Sequence, residues 1–461
     1  MVLTPRYAQL PEKFFEKLDA VEFSQYSVLY WNESLAKELG LTDRLFYSSV
    51  QVAQAYAGHQ FGHFVPQLGD GRARLVGEIQ HRNGQLFEVH LKGSGSTKFS
   101  RRGDGLATLD AVLRELLVSE GMHSLGIPTT RTLAVLGTGE KVYRENEHPG
   151  AIQVRIARSH VRVGTFEYFA ARGDTASIKI LADEMIHRRF PLLQNQANAY
   201  SALFETVMEK QIQLVARWLQ VGFIHGVMNT DNTLLSGETI DYGPCAFMEA
   251  YDPLKVFSSI DHQGRYAYAR QPQVIKWNLT VLGHCLLPLF AENREVATQM
   301  LENTLSKFEA NFHKAWLEGM AQKLGILEIK PGDEVLLQEF LVILHQQKID
   351  FTLGFRGLSE KMQSTTKEMQ EWFAKWAARV TSPNKTLAQV RKDLESINPI
   401  IIPRNHLVEK AIQVAVKNND FSFTENLLKA LATPFSAQQE FGEFQKPASP
   451  TEQIHATFCG T

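Results

Sequence analysis

The stretch His225-Gly-Val-Met-Asn-Thr-Asp-Asn232, followed after a short turn by Ile240-Asp-Tyr-Gly243, decides the reading of this chain. Nucleotide-dependent phosphotransferases need an Asp that orients the nucleophile, an Asn on a metal ion and a second Asp on that metal. In the aminoglycoside-type pattern an Asn follows the loop His by seven positions, as Asn232 follows His225. The Asp of that pattern, two positions after the His, is replaced by Val227, and Asp231 instead supplies a carboxylate directly before the Asn. Asn232 and Asp241 are candidate oxygen ligands for a hard divalent cation bridging triphosphate oxygens. The pattern predicts short strands at 233–235 and 238–240 around Ser236-Gly237, a hairpin that brings the two together. A buried polar network with turn residues is the plain alternative.

Upstream, 72–80 reads as a strand, and Asn83-Gly84 as the turn into a second strand over 85–92. Alternation along that strand puts Phe87, Val89 and Leu91 on one side and Glu88, His90 and Lys92 on the other, so a polar residue at its end can point into a cleft. A helix is predicted over 108–125, carrying Arg114 and Glu115 and ended by Gly126-Ile-Pro128. Strands follow at 132–136, 140–143 and 151–156, with a turn at Gly137-Thr-Gly139. A mostly antiparallel sheet with one helix across it is the arrangement of a kinase N-lobe. Lys92 lies 23 residues before Glu115, and a phosphate-binding Lys needs an acid to hold its flexible stem. Taken singly, each is an ordinary surface charge. Gly69-Asp-Gly-Arg72 and Gly103-Asp-Gly105 are glycine turns that permit close approach of phosphate, though plain turns satisfy the same pattern. Arg155, Arg158 and Arg162 compete for cationic contacts to phosphate, and composition does not choose among them.

Beyond about residue 174 the pattern becomes helical. Phe204, Val207, Met208, Ile212, Val215 and Trp218 recur at helical spacing over 203–218, and Gly222 lies just past the end, delivering the chain into the His225 loop. Further helices are predicted at 31–39, 273–290, 294–324, 333–346, 366–380 and 407–417. The predicted class is α+β, a protein-kinase-like bilobal fold. Residues 1–170 form an N-terminal extension and sheet-rich nucleotide-binding lobe, 171–431 an enlarged helical catalytic lobe and 432–461 a wrapping tail.

A chain of 461 residues with 44% hydrophobic and 21% charged residues is of ordinary globular composition. Its formal net charge of -2 offers no general attraction for nucleic acid or an anionic membrane. The N-terminus lacks the apolar run of a secretory signal, and no later run reaches the roughly 18 residues a bilayer requires. A cytoplasmic monomer is the expectation. Cys245, Cys285 and Cys459 form neither a disulfide framework nor a CxxC pair; near the chain end, Cys459 is a candidate reactive thiol or a plain tail cysteine.

The ordered motifs Tyr56-Ala-Gly-His-Gln-Phe-Gly62, Leu68-Gly-Asp-Gly-Arg72, His90-Leu-Lys-Gly-Ser-Gly95, Arg102-Gly-Asp-Gly105, Ser159-His-Val-Arg-Val-Gly-Thr-Phe166, the His225 loop and Ile240-Asp-Tyr-Gly-Pro244 resemble those of the selenoprotein O family of protein adenylyltransferases. The resemblance implies a protein-kinase-like fold that binds ATP in a reversed orientation and transfers AMP to Ser, Thr or Tyr hydroxyls of client proteins. It implies Asp231 as proton acceptor, Asn232 and Asp241 as ligands of Mg2+ or Mn2+, and ATP contacts from Gly69, Gly71, Arg72, Lys92, Asp104, Gly105, Arg155, Arg162 and Asp241, with Glu115 supporting Lys92. Three positions depart from the family pattern: Ser96, Lys98 and Leu106. The ending Cys459-Gly-Thr461 is similar to that of bacterial members with Cys where some eukaryotic relatives carry selenocysteine, which implies redox regulation through Cys459. A conventional kinase and a non-catalytic nucleotide-responsive binding protein are the competing expectations.

Overall fold

Alternating apolar residues and glycine turns in the first third of the chain build one twisted sheet, seen in a computed structural model that describes residues 2–19, 23, 26–41, 47–48, 50–81, 83–360 and 366–458. Its strands are β1 (Phe15–Leu18), β2 (Ser27–Trp31), β3 (Gln51–Gln54), β4 (Ala73–Gln80), β5 (Leu86–Lys92), β6 (Ala107–Thr108), β7 (Arg131–Tyr143) and β8 (Glu147–Ala157). They are ordered β1-β3-β4-β5-β8-β7-β2, with β6 beside β8. Every pairing is antiparallel. Asn83-Gly84 lies in the β4–β5 connection, where Gly84 takes φ 85°. The predicted turn at Gly137-Thr-Gly139 is absent: β7 runs through it as one long strand whose register with β8 shifts between Gly137 and Lys141. A bulge absorbs the glycines without reversing the chain.

Thr108 enters helix α1 (Leu109–Ser124), whose Val112, Leu113, Leu116 and Leu117 are buried. Helix α2 (Val163–Ala170) follows β8, and α3 (Ala199–Gln220) is the amphipathic helix foreseen from its apolar period. The Asn198 side chain accepts from Ser201 N–H at 3.0 Å to start α3, and Gly222, at φ 73°, ends it. The chain then forms a two-residue strand, Phe223–Ile224, against Ala246–Phe247 and enters the His225 loop. Helix α4 (Gln271–Phe290) packs against α2 and α3.

The single helix expected over 294–324 is two, Arg294–Leu305 and Phe308–Lys323. The expected helix at 31–39 is β2 followed by the short helix Glu33–Glu38, which Asn32 caps by accepting from Leu35 N–H at 3.0 Å. The architecture is thus mixed α and β, sheet-rich at the N-terminus and helical beyond. The tail returns to the segment after Asp241: Ala448 N–H donates to Glu249 Oε1 at 3.1 Å, and Thr457 Oγ1 to the Pro244 carbonyl at 2.5 Å. Among the described residues no helix is long and apolar enough to cross a membrane.

Candidate active site

The polar face of β5 is turned inward: Glu88, His90 and Lys92 are all buried. Lys92, at the strand end, donates from Nζ to Glu115 Oε1 on α1 at 2.7 Å and to Asp241 Oδ1 at 2.5 Å. Glu115 Oε1 also accepts from Tyr242 N–H at 3.0 Å, so one carboxylate oxygen ties the helix to both the lysine and the Asp241 segment. Arg155 Nη1 donates to Asp241 Oδ1 at 2.9 Å and Arg162 Nη1 to Asp241 Oδ2 at 3.4 Å. Burial by itself would raise the Asp241 pKa, but Lys92, Arg155 and Arg162 overcome it and hold the carboxyl well below its ordinary range. Its backbone adopts φ 61°, a left-handed conformation that Asp tolerates better than most residues. Of the three competing arginines, Arg155 and Arg162 converge here, whereas Arg158 is exposed and its N–H donates to Glu238.

His225 holds the two motifs in register. Its Nε2–H donates to the Ile240 carbonyl at 2.9 Å, immediately before Asp241, and its N–H donates to Gln271 Oε1 at 3.0 Å on α4. Arg162 makes a second tie, since the Nη1 that reaches Asp241 also donates to the Asp231 carbonyl at 2.7 Å. Asp231 is only 7% exposed. Its Oδ2 accepts from Gln60 Nε2 at 3.1 Å, and its buried Oδ1 has no hydrogen-bond partner. Burial pushes its pKa up to about 6, against the Gln60 hydrogen bond and the Arg162 charge. A carboxylate in that range is mostly ionised at neutral pH yet basic enough to take a proton. Val227 is buried and occupies no ion pair; its carbonyl accepts from Asn232 Nδ2 at 3.0 Å.

The predicted strand pair at 233–235 and 238–240 does not form. Leu234 bridges instead to Arg162 and Thr239 to Thr129, each an isolated bridge, around a turn closed by Gly237 N–H to the Leu234 carbonyl at 3.1 Å. Asp231, Asn232 and Asp241 are therefore assembled by contacts to β8, its exit segment and α1 rather than by a local hairpin.

The glycine loops border this cluster. Gly69, Gly71 and Arg72 lead into β4, and the Arg72 carbonyl accepts from Gly93 N–H at 2.7 Å, next to Lys92. Gly105, at φ 71°, lies against the Gly95 backbone so closely that a Cβ would not fit. Asp104 forms an exposed ion pair with Arg144 at 2.8 Å. Of the departures from the family pattern, the Ser96 carbonyl accepts from Arg74 Nη2 at 3.3 Å, Lys98 N–H donates to Glu16 Oε2 at 2.7 Å and Leu106 N–H donates to Asp104 Oδ1 at 2.9 Å. Cys459 lies outside the described residues; Cys245 and Cys285 are buried thiols.

Two residues that sequence reasoning gave no role complete the floor. His90 is the cross-strand partner of Arg155, accepting from its Nη2 at 2.9 Å on Nδ1, while its Nε2–H donates to Asp70 Oδ2 at 3.2 Å. Burial lowers the His90 pKa despite Asp70, keeping the neutral ring that this donor–acceptor arrangement requires. The alternation that placed Lys92 toward the cleft places His90 there too, but Asp70 and Gln60 carry no local signal of their partners.

The donor set suits a hard cation shared with phosphate. The Asn232 amide nitrogen is committed to Val227, leaving its oxygen for a ligand, and the Asp241 side chain remains 21% exposed. Among the described residues no group of three or more His, Cys, Asp or Glu forms a cage. Two oxygen-bearing side chains, with phosphates and water completing the shell, match the way Mg2+ is usually bound.

A family model described as protein adenylyltransferase SelO matches residues 1–432. Proteins called protein nucleotidyltransferase YdiU are similar over nearly the whole chain. The one from Rhizobium etli is 47% identical, covering 99% of this chain and 96% of the relative. That from Bradyrhizobium diazoefficiens is 45% identical over 99% and 98%. Coverage and identity of this order show that the chain belongs to the SelO family of protein adenylyltransferases.

Proposed function

We propose that this protein transfers AMP from ATP to Ser, Thr or Tyr hydroxyls of client proteins, with release of pyrophosphate. The observation that carries this reading is a buried carboxylate, Asp231, with one unpartnered oxygen, beside an Asp241 ringed by Lys92, Arg155 and Arg162. Lys92, Arg155 and Arg162 give up part of their contact with Asp241 to bind phosphate oxygens, so developing negative charge meets preset cations. Gly69, Gly71, Arg72 and Gly105 lend backbone room for the nucleotide, and Asp104 borders it. Asp231 orients the client hydroxyl and takes its proton while the oxygen attacks the α phosphorus. Asn232 and Asp241 would hold Mg2+ or Mn2+, which supplies charge neutralisation at the triphosphate. The reversed nucleotide that places the α phosphate by the hydroxyl is part of the same proposal.

An antiparallel sheet, a Lys92–Glu115 pair between strand and helix, and an Asp segment beneath them support a protein-kinase-like bilobal arrangement, with lobes at 1–170 and 171–431 and a tail at 432–461. A cytoplasmic monomer acting without nucleic acid or membrane, with Cys459 as a redox-sensitive group, completes the reading. Separate incubations with α-labelled and γ-labelled ATP test the function: label enters protein from the α position only. Incorporation from the γ position alone would make it a kinase, and retained ATP binding with neither label a binding protein.

A further inference from the structure

A short hairpin of Gly58–Gln60 and His63–Val65 lies on the His225 loop, paired Gly58 to Val65, His59 to Phe64 and Gln60 to His63. Its two-residue turn has φ 51° at Phe61 and 88° at Gly62. Positive φ at both positions is the type I′ pattern, which favours Asn or Gly at the first place and disfavours Phe. The unfavourable residue is held by contacts to the catalytic segment. The Phe61 ring packs 5.0 Å from that of Tyr266, and its N–H donates to Asn229 Oδ1 at 3.1 Å, which also accepts from Tyr266 OH at 2.6 Å. Two residues earlier, His59 N–H donates to Thr230 Oγ1 at 2.7 Å. The hairpin is therefore fastened at Asn229 and Thr230, the two residues that lead into Asp231.

This fastening fixes which face of the hairpin meets the carboxylate. Strand alternation puts Gly58 and Gln60 on one face, and both meet Asp231. Gln60 Nε2 donates to Oδ2 at 3.1 Å, and a Cβ at position 58 would lie 2.9 Å from Oδ1. Glycine at 58 keeps a side chain off the buried, unpartnered Oδ1, while the amide at 60 occupies the other oxygen.

We infer that Gln60 is a positioning residue for AMP transfer: it holds Oδ2 of Asp231 so that Oδ1 faces the client hydroxyl. The inference deepens the proposed function and rests on Asp231 as proton acceptor. In the step served, the hydroxyl O–H breaks and its proton passes to Oδ1. The hydroxyl oxygen bonds to the α phosphorus, and the bond from that phosphorus to the bridging oxygen breaks, pyrophosphate leaving with the electron pair. Gln60 gains and loses nothing; it fixes the carboxylate plane.

Gln60→Met keeps the length of the side chain and removes the donor. The expected result is a kcat about 10-fold to 100-fold lower, the range for losing one hydrogen bond to a charged group, with ATP dissociation constant and melting midpoint unchanged. Gln60→Ala, tested in parallel, gives the same loss and is read in its place if Met shifts the melting midpoint. Asp231→Asn separates the two ideas. The double variant Gln60→Met with Asp231→Asn is expected to be no slower than Asp231→Asn alone, because Gln60 acts only through that carboxylate. Wild-type kcat in both Gln60 variants alongside a crippled Asp231→Asn enzyme overturns the role of Gln60 and leaves the base in place, as do losses that multiply in the double variant. Near-normal turnover by folded Asp231→Asn overturns the base assignment itself.

Discussion

Asp241→Asn is predicted to uncouple ATP binding from the metal, and to do so in opposite directions with and without it. In the free protein Asp241 occupies the same cations that must meet phosphate: Lys92 at 2.5 Å, Arg155 at 2.9 Å and Arg162 at 3.4 Å. Metal-free ATP competes with that carboxylate, and the displaced charge-assisted bonds are worth roughly 1.5–3 kcal/mol each. Asparagine at 241 keeps the shape and removes the charge, so yielding one such bond no longer opposes binding. ATP affinity in chelator therefore rises about 10-fold, equivalent to about 1.4 kcal/mol at the conservative end. With Mg2+ the variant loses a charged ligand, so the strengthening that the metal gives the parent protein largely disappears. The free variant is also less stable, by about 3 kcal/mol, because three cations lose their common counter-ion. Calorimetric titration of ATP in chelator and in Mg2+ reads both effects. Weaker binding than the parent in chelator, with the metal response intact, would show that Asp241 neither competes with phosphate for these cations nor holds the metal.

Two other predictions follow from buried contacts. Gly58→Ala sets a Cβ 2.9 Å from Asp231 Oδ1 and should lower kcat at least about 10-fold with little change in melting midpoint; kinetics at wild-type level would show that this edge is not used. Lys323 is buried with its Nζ 4.6 Å from the Phe355 ring centroid, and burial lowers its pKa from 10.5 to about 7. The unfolded chain binds this proton below 10.5 and the folded chain only below about 7, so stability climbs between those values and is lowest below them. At about 1.4 kcal/mol per pH unit the full rise amounts to about 5 kcal/mol, and Lys323→Met should flatten it and raise stability at pH 7. Denaturant unfolding across that pH range checks this, and an unchanged slope in the variant would contradict it.

What the sequence made legible was local chemistry at short range. Strand alternation alone turned Lys92 inward, and helical spacing alone placed a helix over 203–218 ahead of the His225 loop, which the observed helix Ala199–Gln220 contains. Where a glycine's meaning depends on distant neighbours, the reading failed: Gly137 and Gly139 serve a bulge because β8 and β2 flank β7 on both sides. Residues 233–240 make no hairpin because Leu234 and Thr239 find partners in Arg162 and Thr129. The candidate site divides in the same way. Its acids and cations sit in recognisable motifs, but the choice among the three arginines is tertiary: Arg155 lies opposite His90 on β8, Arg158 follows the strand end with its N–H on Glu238, and Arg162, farther along the exit, reaches the Asp231 carbonyl and Asp241. Gln60 is 171 residues from the carboxylate that it touches, and no periodicity joins them.

The most direct test of AMP transfer is a structure of this protein with a non-hydrolysable ATP analogue and Mg2+. The expected complex holds the triphosphate reversed, its α phosphorus nearest Asp231 Oδ1 and its oxygens on Lys92, Arg155 and Arg162. A nucleotide whose γ phosphorus instead occupies that place, with the α phosphate remote from Asp231, would contradict it.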